Sequence, residues 1–236
     1  MANAIEIENF SYNYADGTPA VRGIDLVIRH GERVAFIGPN GAGKSTLLLG
    51  MCGFIKGRGT VLIDGIEVKK ENIKKIRSLT GSVLQDPDEQ LFMSTLFDDV
   101  AFGPLNMGLD ENQICRRVDE ALTTVGLGGM GHRPPHHLSA GQKRAAAIAT
   151  ILSMSPKIIT MDEPDSSLDP RSRKRLLELL RTLSQTLIIA SCNMDFVANL
   201  CTRAILLDGG QIIADGDAKT ILSDAALMEK HGLEIA

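Results

Sequence analysis

Short β-rich apolar runs alternate along the chain with longer segments of helical periodicity. Three such runs open the chain, at residues 4–10, 21–28 and 33–37, and turn residues separate them, which predicts three β-strands. A glycine-rich loop follows the third run, and an apolar helix is predicted over 44–52. The chain therefore opens with strands and then a helix.

The pattern changes in the middle of the chain. Strands are predicted at 59–63 and 81–84, with a basic, exposed segment at 69–77 between them. From residue 86 to about residue 155 the apolar positions follow a helical period, which Gly-Pro, Gly-Gly and Pro-Pro pairs interrupt. This part of the chain is predicted to be a helical insertion.

Strands return after the insertion. Runs at 158–161 and 186–191 flank a predicted helix at 170–183, and this βαβ order is typical of a parallel sheet. A last pair of strands is predicted at 204–207 and 211–214, around an Asp-Gly-Gly turn. The pattern as a whole indicates an α/β protein.

The length of 236 residues fits one large domain with an insertion. We therefore assign residues 1–236 to a single domain. Its α/β core is predicted to comprise 1–85 and 156–236, and its inserted helical subdomain 86–155.

Composition and charge exclude several classes of protein. Apolar residues make up 44% and charged residues 23%, which is ordinary for a soluble globular protein. The net charge of −4 gives no electrostatic footprint for nucleic acid. No charge-free apolar stretch approaches 18 residues, and the first ten residues lack the basic start and apolar run of a secretory signal. Four cysteines without CxxC spacing are typical of free thiols, so the cytosol is the expected compartment.

The loop Gly38-Pro-Asn-Gly-Ala-Gly-Lys-Ser45 fits the phosphate-binding pattern G-x-x-x-x-G-K-[ST]. Its glycines let backbone N–H groups surround phosphate oxygens, and the start of the following helix favours negative charge. Lys44 is expected to reach the β and γ phosphates, and Ser45 to bind Mg²⁺. The predicted nucleotide-binding residues of this segment are Gly38, Pro39, Asn40, Gly41, Ala42, Gly43, Lys44, Ser45 and Thr46.

Two carboxylates end the apolar strand that is predicted at 158–161. Asp162 is expected to lie beside the Mg²⁺, and Glu163 near the water that attacks the γ phosphate. Taken alone, two acids can end a strand simply because its end is solvated. The phosphate loop upstream favours the functional interpretation, with ATP and Mg²⁺ as the ligands.

The segment Leu138-Ser-Ala-Gly-Gln142 precedes the acidic strand end by about twenty residues, and Gln85 lies at the start of the insertion. With the two motifs above, this set resembles an ABC-type ATPase over nearly the full chain. The resemblance implies a P-loop NTPase core with a mainly parallel sheet, an N-terminal antiparallel β subdomain and an inserted α-helical subdomain. It also implies ATP hydrolysis in a dimer, in which the signature segment of one subunit completes the ATP site of the other.

The same resemblance implies roles for further residues. Gln85 would sense Mg²⁺ and water, so that it would act with Lys44 and Glu163 in catalysis and with Ser45 and Asp162 in binding the metal. The signature residues would be Leu138, Ser139, Ala140, Gly141 and Gln142, and the loop that crosses the dimer interface would be Ser167, Leu168 and Asp169.

An aromatic residue stacks on adenine in this family. Tyr14 occupies that place, although Tyr12 competes for the role and Tyr14 is equally well explained as a surface or core residue.

A narrower match is carried by Gln85-Asp-Pro-Asp-Glu-Gln-Leu-Phe92 together with Asp98-Asp-Val-Ala-Phe-Gly-Pro104. These segments are similar to the ATPase subunit of energy-coupling-factor importers, which take up cobalt, nickel and vitamins. The similarity implies a homodimer or heterodimer of ATPase subunits at the cytoplasmic face of the membrane, docked under a membrane coupling protein. A separate membrane protein would bind the transported substrate.

Residues 86–111 are acidic and contain no lysine or arginine. Such a segment suits a basic helix of the coupling protein, whereas a charge run considered alone also fits a solvated face. The family similarity favours the first interpretation. The seven acids are Asp86, Asp88, Glu89, Asp98, Asp99, Asp110 and Glu111.

The chain departs from the family pattern at three positions. Cys192 stands where the family has a histidine that contacts the γ phosphate and the attacking water, and a thiol is a short, weak donor. We therefore expect this chain to bind nucleotide but to hydrolyse ATP slowly at its own site. Ala140 replaces a signature glycine, with a mild effect expected. Ala145, next to Arg144, stands where an arginine is usual and puts interface contacts in doubt.

Two other functions stay open at this point. One is a regulatory nucleotide-binding subunit with little turnover, and the other is a soluble ABC-type ATPase that acts on nucleic acid or ribosomes. A metal site at His132, His136 and His137 is not favoured, because adjacent histidines in a proline-rich loop are poorly spaced for one ion.

Overall fold

Two β-sheets carry the fold in the computed structural model, which describes residues 3–234. Residues 1, 2, 235 and 236, which the predicted domain includes, lie outside the described residues. The strands are β1 (Asn3–Asn13), β2 (Pro19–Arg29), β3 (Arg33–Ile37), β4 (Arg58–Ile63), β5 (Ile66–Glu67), β6 (Thr80–Val83), β7 (Ile158–Asp162), β8 (Thr186–Ala190), β9 (Arg203–Asp208) and β10 (Gln211–Asp217).

The first sheet is antiparallel and has the order β2-β1-β4-β5. The second has the order β10-β9-β3-β8-β7-β6, and its strands from β9 to β6 are parallel. Every residue of β8 is buried, as expected for a central strand of a parallel sheet that is covered on both faces. The carboxyl ends of β3, β7 and β8 therefore meet at one edge of this sheet.

The helices pack on the parallel sheet or form a separate group within the insertion. They are α1 (Lys44–Met51), α2 (Ile73–Leu79), α3 (Leu96–Asn106), α4 (Glu111–Thr124), α5 (Ala140–Leu152), α6 (Pro170–Thr182), α7 (Met194–Leu200), α8 (Ala218–Leu222) and α9 (Ala225–Lys230). Helices α3, α4 and α5 contribute most of a third apolar core, distinct from the two cores that cover the sheets.

Side-chain caps set where the inserted helices begin. Thr95 accepts a hydrogen bond from the Asp98 backbone N–H at the start of α3. Asp110 and Gln113 form a capping box at the start of α4. Such caps satisfy backbone N–H groups that have no partner inside the helix.

The predicted fold class is confirmed: the chain has an antiparallel N-terminal sheet, a mainly parallel sheet and helices inserted between β6 and β7. The insertion limits at residues 86 and 155 stay predictions. The sequence did not predict α2, α7, α8 or α9. Helix α2 lies within the segment 69–77, which was expected to be simply exposed, and its Ile76 is fully buried.

A polar contact ties the antiparallel sheet to the parallel one. Asp64, between β4 and β5, accepts hydrogen bonds from Lys157 Nζ at 2.6 Å and from His30 Nε2 at 2.9 Å. The bond from Lys157 is the main reason that the pKa of Asp64 lies below its ordinary value, and His30 adds to the effect.

Candidate functional site

The glycine-rich loop lies between the carboxyl end of β3 and the start of α1. Gly38 and Gly43 have φ values of 147° and 100°, and a Cβ atom on either would run into the backbone oxygen of Leu207 or Ala20. Lys44 is only 7% exposed, and its Nζ donates to the Gly38 carbonyl oxygen at 2.7 Å. The loop therefore holds a buried ammonium group, and its path at these two positions requires glycine because neighbouring backbone leaves no room for a side chain.

Asp162, the last residue of β7, has the surroundings of a metal ligand. Its Oδ1 is buried and has no hydrogen-bond partner among residues 3–234. Burial raises the pKa of Asp162, whereas Ser45 and Lys44 act in the opposite direction. Mg²⁺ prefers oxygen ligands and is commonly held by a serine hydroxyl and a carboxylate beside a phosphate. The described residues therefore fit Mg²⁺, which Ser45 and Asp162 would hold and which would neutralise phosphate charge.

Glu163 and Cys192 face each other beside the loop. Glu163 has a left-handed backbone with φ 44°, and its N–H donates to the Ala190 carbonyl oxygen at 2.8 Å. Its Oε2 accepts a hydrogen bond from the Cys192 backbone N–H at 3.2 Å. The Cys192 Sγ lies 3.9 Å from the Gly38 carbonyl oxygen and 3.8 Å from Asn40 Oδ1. Burial, with help from Glu163, raises the pKa of the Cys192 thiol, so it is neutral at pH 7.

A buried polar cluster behind Glu163 was missed by the sequence analysis. Asp165 is 3% exposed and accepts from Ser191 Oγ at 3.0 Å and from Asn193 Nδ2 at 2.8 Å. Arg173 Nε lies 3.7 Å from its Oδ2. The only available signal is an acid two residues after Glu163, and nothing in the pattern shows that this acid is buried.

The signature segment caps helix α5. Ser139 and Gln142 form a capping box, in which the Ser139 N–H donates to Gln142 Oε1 at 3.0 Å and the Gln142 N–H donates to Ser139 Oγ at 3.4 Å. Ala140 is exposed. A Cβ atom on Gly141 would lie 2.7 Å from Ser172 Oγ, so this glycine lets the signature pack against the start of α6.

Arg144 links α5 to the residues just before the insertion. It is 3% exposed and donates to the carbonyl oxygens of Leu84 and Gln85, each at 2.7 Å. Burial lowers the pKa of Arg144, and the carboxylates of Asp165 and Asp86 oppose that shift. No role for Arg144 itself was predicted from the sequence. The Gln85 residue itself is exposed.

The predicted dimer-crossing loop lies next to the signature. Ser167 has φ 59°, Leu168 is buried, and Asp169 caps α6 by accepting from the backbone N–H groups of Arg171 and Ser172. The hydroxyl and backbone N–H of Ser172 are the main reasons that the pKa of Asp169 is lowered. A groove of about 490 Å³ separates residues 166–168 from residues 85–89, and Leu138 also lines it.

Tyr14 lies on the phosphate-loop side of the antiparallel sheet. Its hydroxyl is 2.9 Å from Thr46 Oγ1, and the residue is 50% exposed. The ring of Tyr12 meets that of Tyr14 edge-on at 5.6 Å and packs against the buried residues of the sheet. The Tyr14 ring is exposed beside α1, and stacking of adenine on it stays a prediction.

The structure brings only part of the predicted site together. The phosphate loop, Asp162, Glu163 and Cys192 form one cluster, whereas no hydrogen bond within residues 3–234 joins the signature 138–142 to residues 38–46. No group of three His, Cys, Asp or Glu in this same range has the spacing to hold a metal ion. No helix of the described part is both long and apolar enough to cross a membrane.

A phosphate-binding loop between β3 and α1, acids at the end of β7 and helices inserted before β7 define a P-loop ATPase of the cassette type. The chain belongs to the ABC transporter family, which it matches over residues 21–166. It is accordingly an ABC ATPase that binds ATP with Mg²⁺.

Individual relatives support this assignment. The energy-coupling factor transporter ATP-binding protein EcfA of Methanothermobacter thermautotrophicus is 45% identical over 98% of this chain and 76% of its own length. The structure of cbiO1 from Clostridium perfringens, described as part of the ABC transporter complex cbiONQ, is 38% identical. It has a TM-score of 0.86 and covers 98% of this chain and 94% of that one. The dimeric bacterial cassette MJ0796 is 27% identical, with a TM-score of 0.81 over 91% and 98% of the two chains.

Proposed function

We propose that this chain is the ATP-binding subunit of an energy-coupling-factor importer. MgATP-driven closure of two such subunits would drive uptake of a metal ion, cobalt or nickel, or of a vitamin. The similarity to EcfA and to cbiO1 supports this class of importer. The observation that carries the paired-subunit part of the proposal is that no hydrogen bond within residues 3–234 joins the phosphate loop to the capped signature. We infer that a second subunit completes each ATP site.

Each cluster residue has a separate task in the proposed reaction. Lys44 and the backbone N–H groups of the loop bind the phosphates, and Ser45, Asp162 and Gln85 would hold Mg²⁺, which would supply positive charge to the phosphate oxygens. Glu163 orients the attacking water and accepts its proton. The signature residues and the loop 167–169 bind across the interface with the second subunit. The position of Glu163 is set by its strained backbone and by the Cys192 N–H.

An exposed apolar patch on the insertion is the proposed docking surface for a membrane coupling protein. Phe92 is 61% exposed and Leu105 is 63% exposed, and Phe102 and Met107 lie on the surface beside them. The rings of Phe92 and Phe102 meet edge-to-face at 5.2 Å. Exposed aromatic residues that lie together are typical of protein interfaces.

Acidic residues accompany the patch and indicate the chemistry of its partner. Glu89, Asp98 and Glu111 are exposed, so a helix with apolar and basic residues would complement the surface. Asp99 is different from what the sequence indicated: it is 3% exposed and accepts from the N–H of Phe92. Asp99 therefore supports the patch from inside and does not face the partner. Docking through this surface would make the chain a peripheral subunit at the cytoplasmic face of the membrane.

A regulatory nucleotide-binding subunit is the second candidate, and Cys192 is the observation that favours it. The Sγ atom approaches acceptors of the phosphate loop only at 3.8 to 3.9 Å, and a neutral thiol is a weak donor. In that case the signature would complete an active site that belongs to a related subunit, while this chain's own site would turn over slowly.

Coexpression with a membrane coupling protein of this importer class tests the proposal. We expect the two proteins to copurify and the Phe92→Ala variant to lose the partner. The matched control is Phe54→Ala, at a phenylalanine that is 52% exposed and lies outside the patch, and this variant should retain the partner. MgATP should bind to the parent chain but not to Lys44→Ala in calorimetry. Equal copurification of the two phenylalanine variants would contradict the docking surface, and MgATP binding by Lys44→Ala would contradict the site.

A further inference from the structure

The buried carboxylate of Asp165 joins segments that the chain order separates. It lies just after Glu163, yet its two oxygens accept hydrogen bonds from Ser191 and Asn193, the two neighbours of Cys192 in sequence. Both partners are themselves constrained: Ser191 is fully buried, and Asn193 caps α7 by accepting from the Phe196 N–H at 3.0 Å. The segment that carries Cys192 is thus held on both sides by one acid.

We propose that Asp165 is a positioning residue, which holds residues 191–193 so that the Cys192 backbone N–H stays hydrogen-bonded to the Glu163 carboxylate. The inference rests on the proposed role of Glu163 in orienting water. It adds what orients Glu163: the backbone N–H of residue 192, which the buried Asp165 holds in place and which does not depend on the side chain at position 192.

The hydrogen-bond inventory of the cluster shows why an acid is required. Ser191 Oγ accepts from the Asn193 N–H at 3.1 Å, so its own hydrogen is free to be donated to Asp165. The Asn193 amide group must point its Nδ2 at Asp165, because its Oδ1 is occupied by the α7 cap. Two donors therefore converge on residue 165, and a carboxylate has acceptor oxygens for both.

Two arginines extend the cluster towards the rest of the site. Arg173, on α6, lies 3.7 Å from Asp165 Oδ2, and the buried Arg144 interacts electrostatically with the same carboxylate. Arg144 also holds the backbone of Gln85. Asp165 therefore contacts the Cys192 segment and the helix after the dimer-crossing loop, and it attracts the arginine that binds the Gln85 backbone.

Exchanging the acid and the amide tests the proposal. Asn193→Asp places a second carboxylate where Asn193 Nδ2 lies, 2.8 Å from Asp165, so we expect kcat for ATP to fall at least about thirtyfold through like-charge repulsion. The double variant Asp165→Asn/Asn193→Asp reverses the direction of this bond and retains an acceptor for the α7 cap. Its kcat should return to within about threefold of the parent.

Two further measurements separate positioning from general damage. The Kd for MgATP should stay within about twofold of the parent in every variant, since the phosphate loop is unchanged. In a Cys115→Ser background Cys192 is the exposed thiol that remains among the four cysteines, because Cys52 and Cys201 are buried. Its alkylation should be several-fold faster in Asn193→Asp and should return to the parental rate in the exchange variant.

Ser191→Ala provides a second variant in case Asn193→Asp does not fold. It removes one donor to Asp165 without adding charge, and about a tenfold lower kcat with unchanged MgATP binding is expected. An exchange variant no faster than Asn193→Asp, or parental kcat and alkylation rates in Ser191→Ala, would overturn the inference. Failure of the parent chain to bind MgATP would instead contradict the proposed function, so the two failures are distinguishable.

Discussion

Replacing Cys192 by histidine should raise the rate of ATP hydrolysis by this chain's own site. The Sγ atom already points at the phosphate loop, towards the Gly38 carbonyl oxygen and Asn40 Oδ1. An imidazole at the same position adds a longer and stronger N–H donor, while the hydrogen bond from the residue 192 backbone N–H to Glu163 is unaffected by the side chain. The substitution therefore adds a contact without removing the one that orients Glu163.

The size of the effect follows from the geometry. The thiol makes only long contacts, of 3.8 to 3.9 Å, with oxygen acceptors of the loop, and it is a weak donor that is neutral at pH 7 because its pKa is raised. It therefore contributes almost nothing to stabilising charge in the transition state. One preorganised donor contributes about 10² to 10³ in rate. Because Cys192 is exposed, we expect the lower end, about 10².

The assay is steady-state release of labelled phosphate from saturating MgATP, with the chain in its dimer. Cys115→His is the matched control, since Cys115 is an exposed thiol on α4, in the helical insertion. Cys192→His should accelerate turnover with little change in KM, and Cys115→His should match the parent. Equal rates for Cys192→His and the parent would refute the reasoning that the missing imidazole limits hydrolysis.

Three further predictions concern stability. Arg144→Met should lower the free energy of unfolding by about 2 kcal/mol, because two carbonyl oxygens lose a charged donor, whereas Arg116→Met at an exposed arginine should change urea unfolding very little. Asp64→Asn should lower stability at pH 7 by up to about 1 kcal/mol. The pKa of Asp64 is lower in the folded protein than its unfolded value of 3.8, so the stabilisation by the Asp64 carboxylate is complete above pH 3.8 and is lost as the pH falls through the folded-state pKa. Parent and variant should therefore have the same stability in urea unfolding below that pH. Gly41→Ala should destabilise by about 1 kcal/mol through its positive φ alone, and Gly43→Ala by at least about 3 kcal/mol because its Cβ meets a backbone oxygen, as thermal unfolding would show.

Each of these predictions has a definite contrary result. Equal losses from the two arginine substitutions would mean that the Arg144 hydrogen bonds contribute nothing net. A gap between parent and Asp64→Asn that persists in strong acid would exclude the ion pair as its cause. Equal losses at Gly41 and Gly43 would show that the loop can move away from the added methyl group.

The parts of the fold that the sequence predicted share a strong local signal. Strand β3 was predicted with its observed limits, 33–37, because Arg33 and the four apolar residues after it lie between a turn and a glycine-rich loop. Helices α8 and α9 were missed because they have only five and six residues, too short to show a helical period. Helix α2 was missed because Lys74, Lys75 and Arg77 made its short segment look exposed, although Ile76 is fully buried.

The candidate site divides in the same way. The phosphate loop and the acids at 162 and 163 could be located because their chemistry requires fixed residue types at fixed spacing. The cluster of Asp165, Ser191 and Asn193 could not, since its bonds span 26 and 28 residues and depend on β7 and β8 being neighbours in the sheet. Such a cluster forms only when distant segments of the chain come together in the fold, so no local sequence pattern predicts it.

Nucleotide binding and ATP hydrolysis depend on different contacts of this site. Phosphate binding depends on glycines that are locked by neighbouring backbone and on Lys44, which donates to the Gly38 carbonyl oxygen at 2.7 Å, whereas Cys192 Sγ approaches that oxygen only at 3.9 Å. The Glu163 carboxylate accepts a hydrogen bond from the backbone N–H of residue 192, whereas we expect a contact with the γ phosphate to depend on the side chain at that position. We therefore expect Cys192, in place of the family's histidine, to slow the reaction without dismantling the site. We expect such a chain still to close around ATP and to complete the site of a partner subunit through its capped signature, in which Ala140 replaces a glycine.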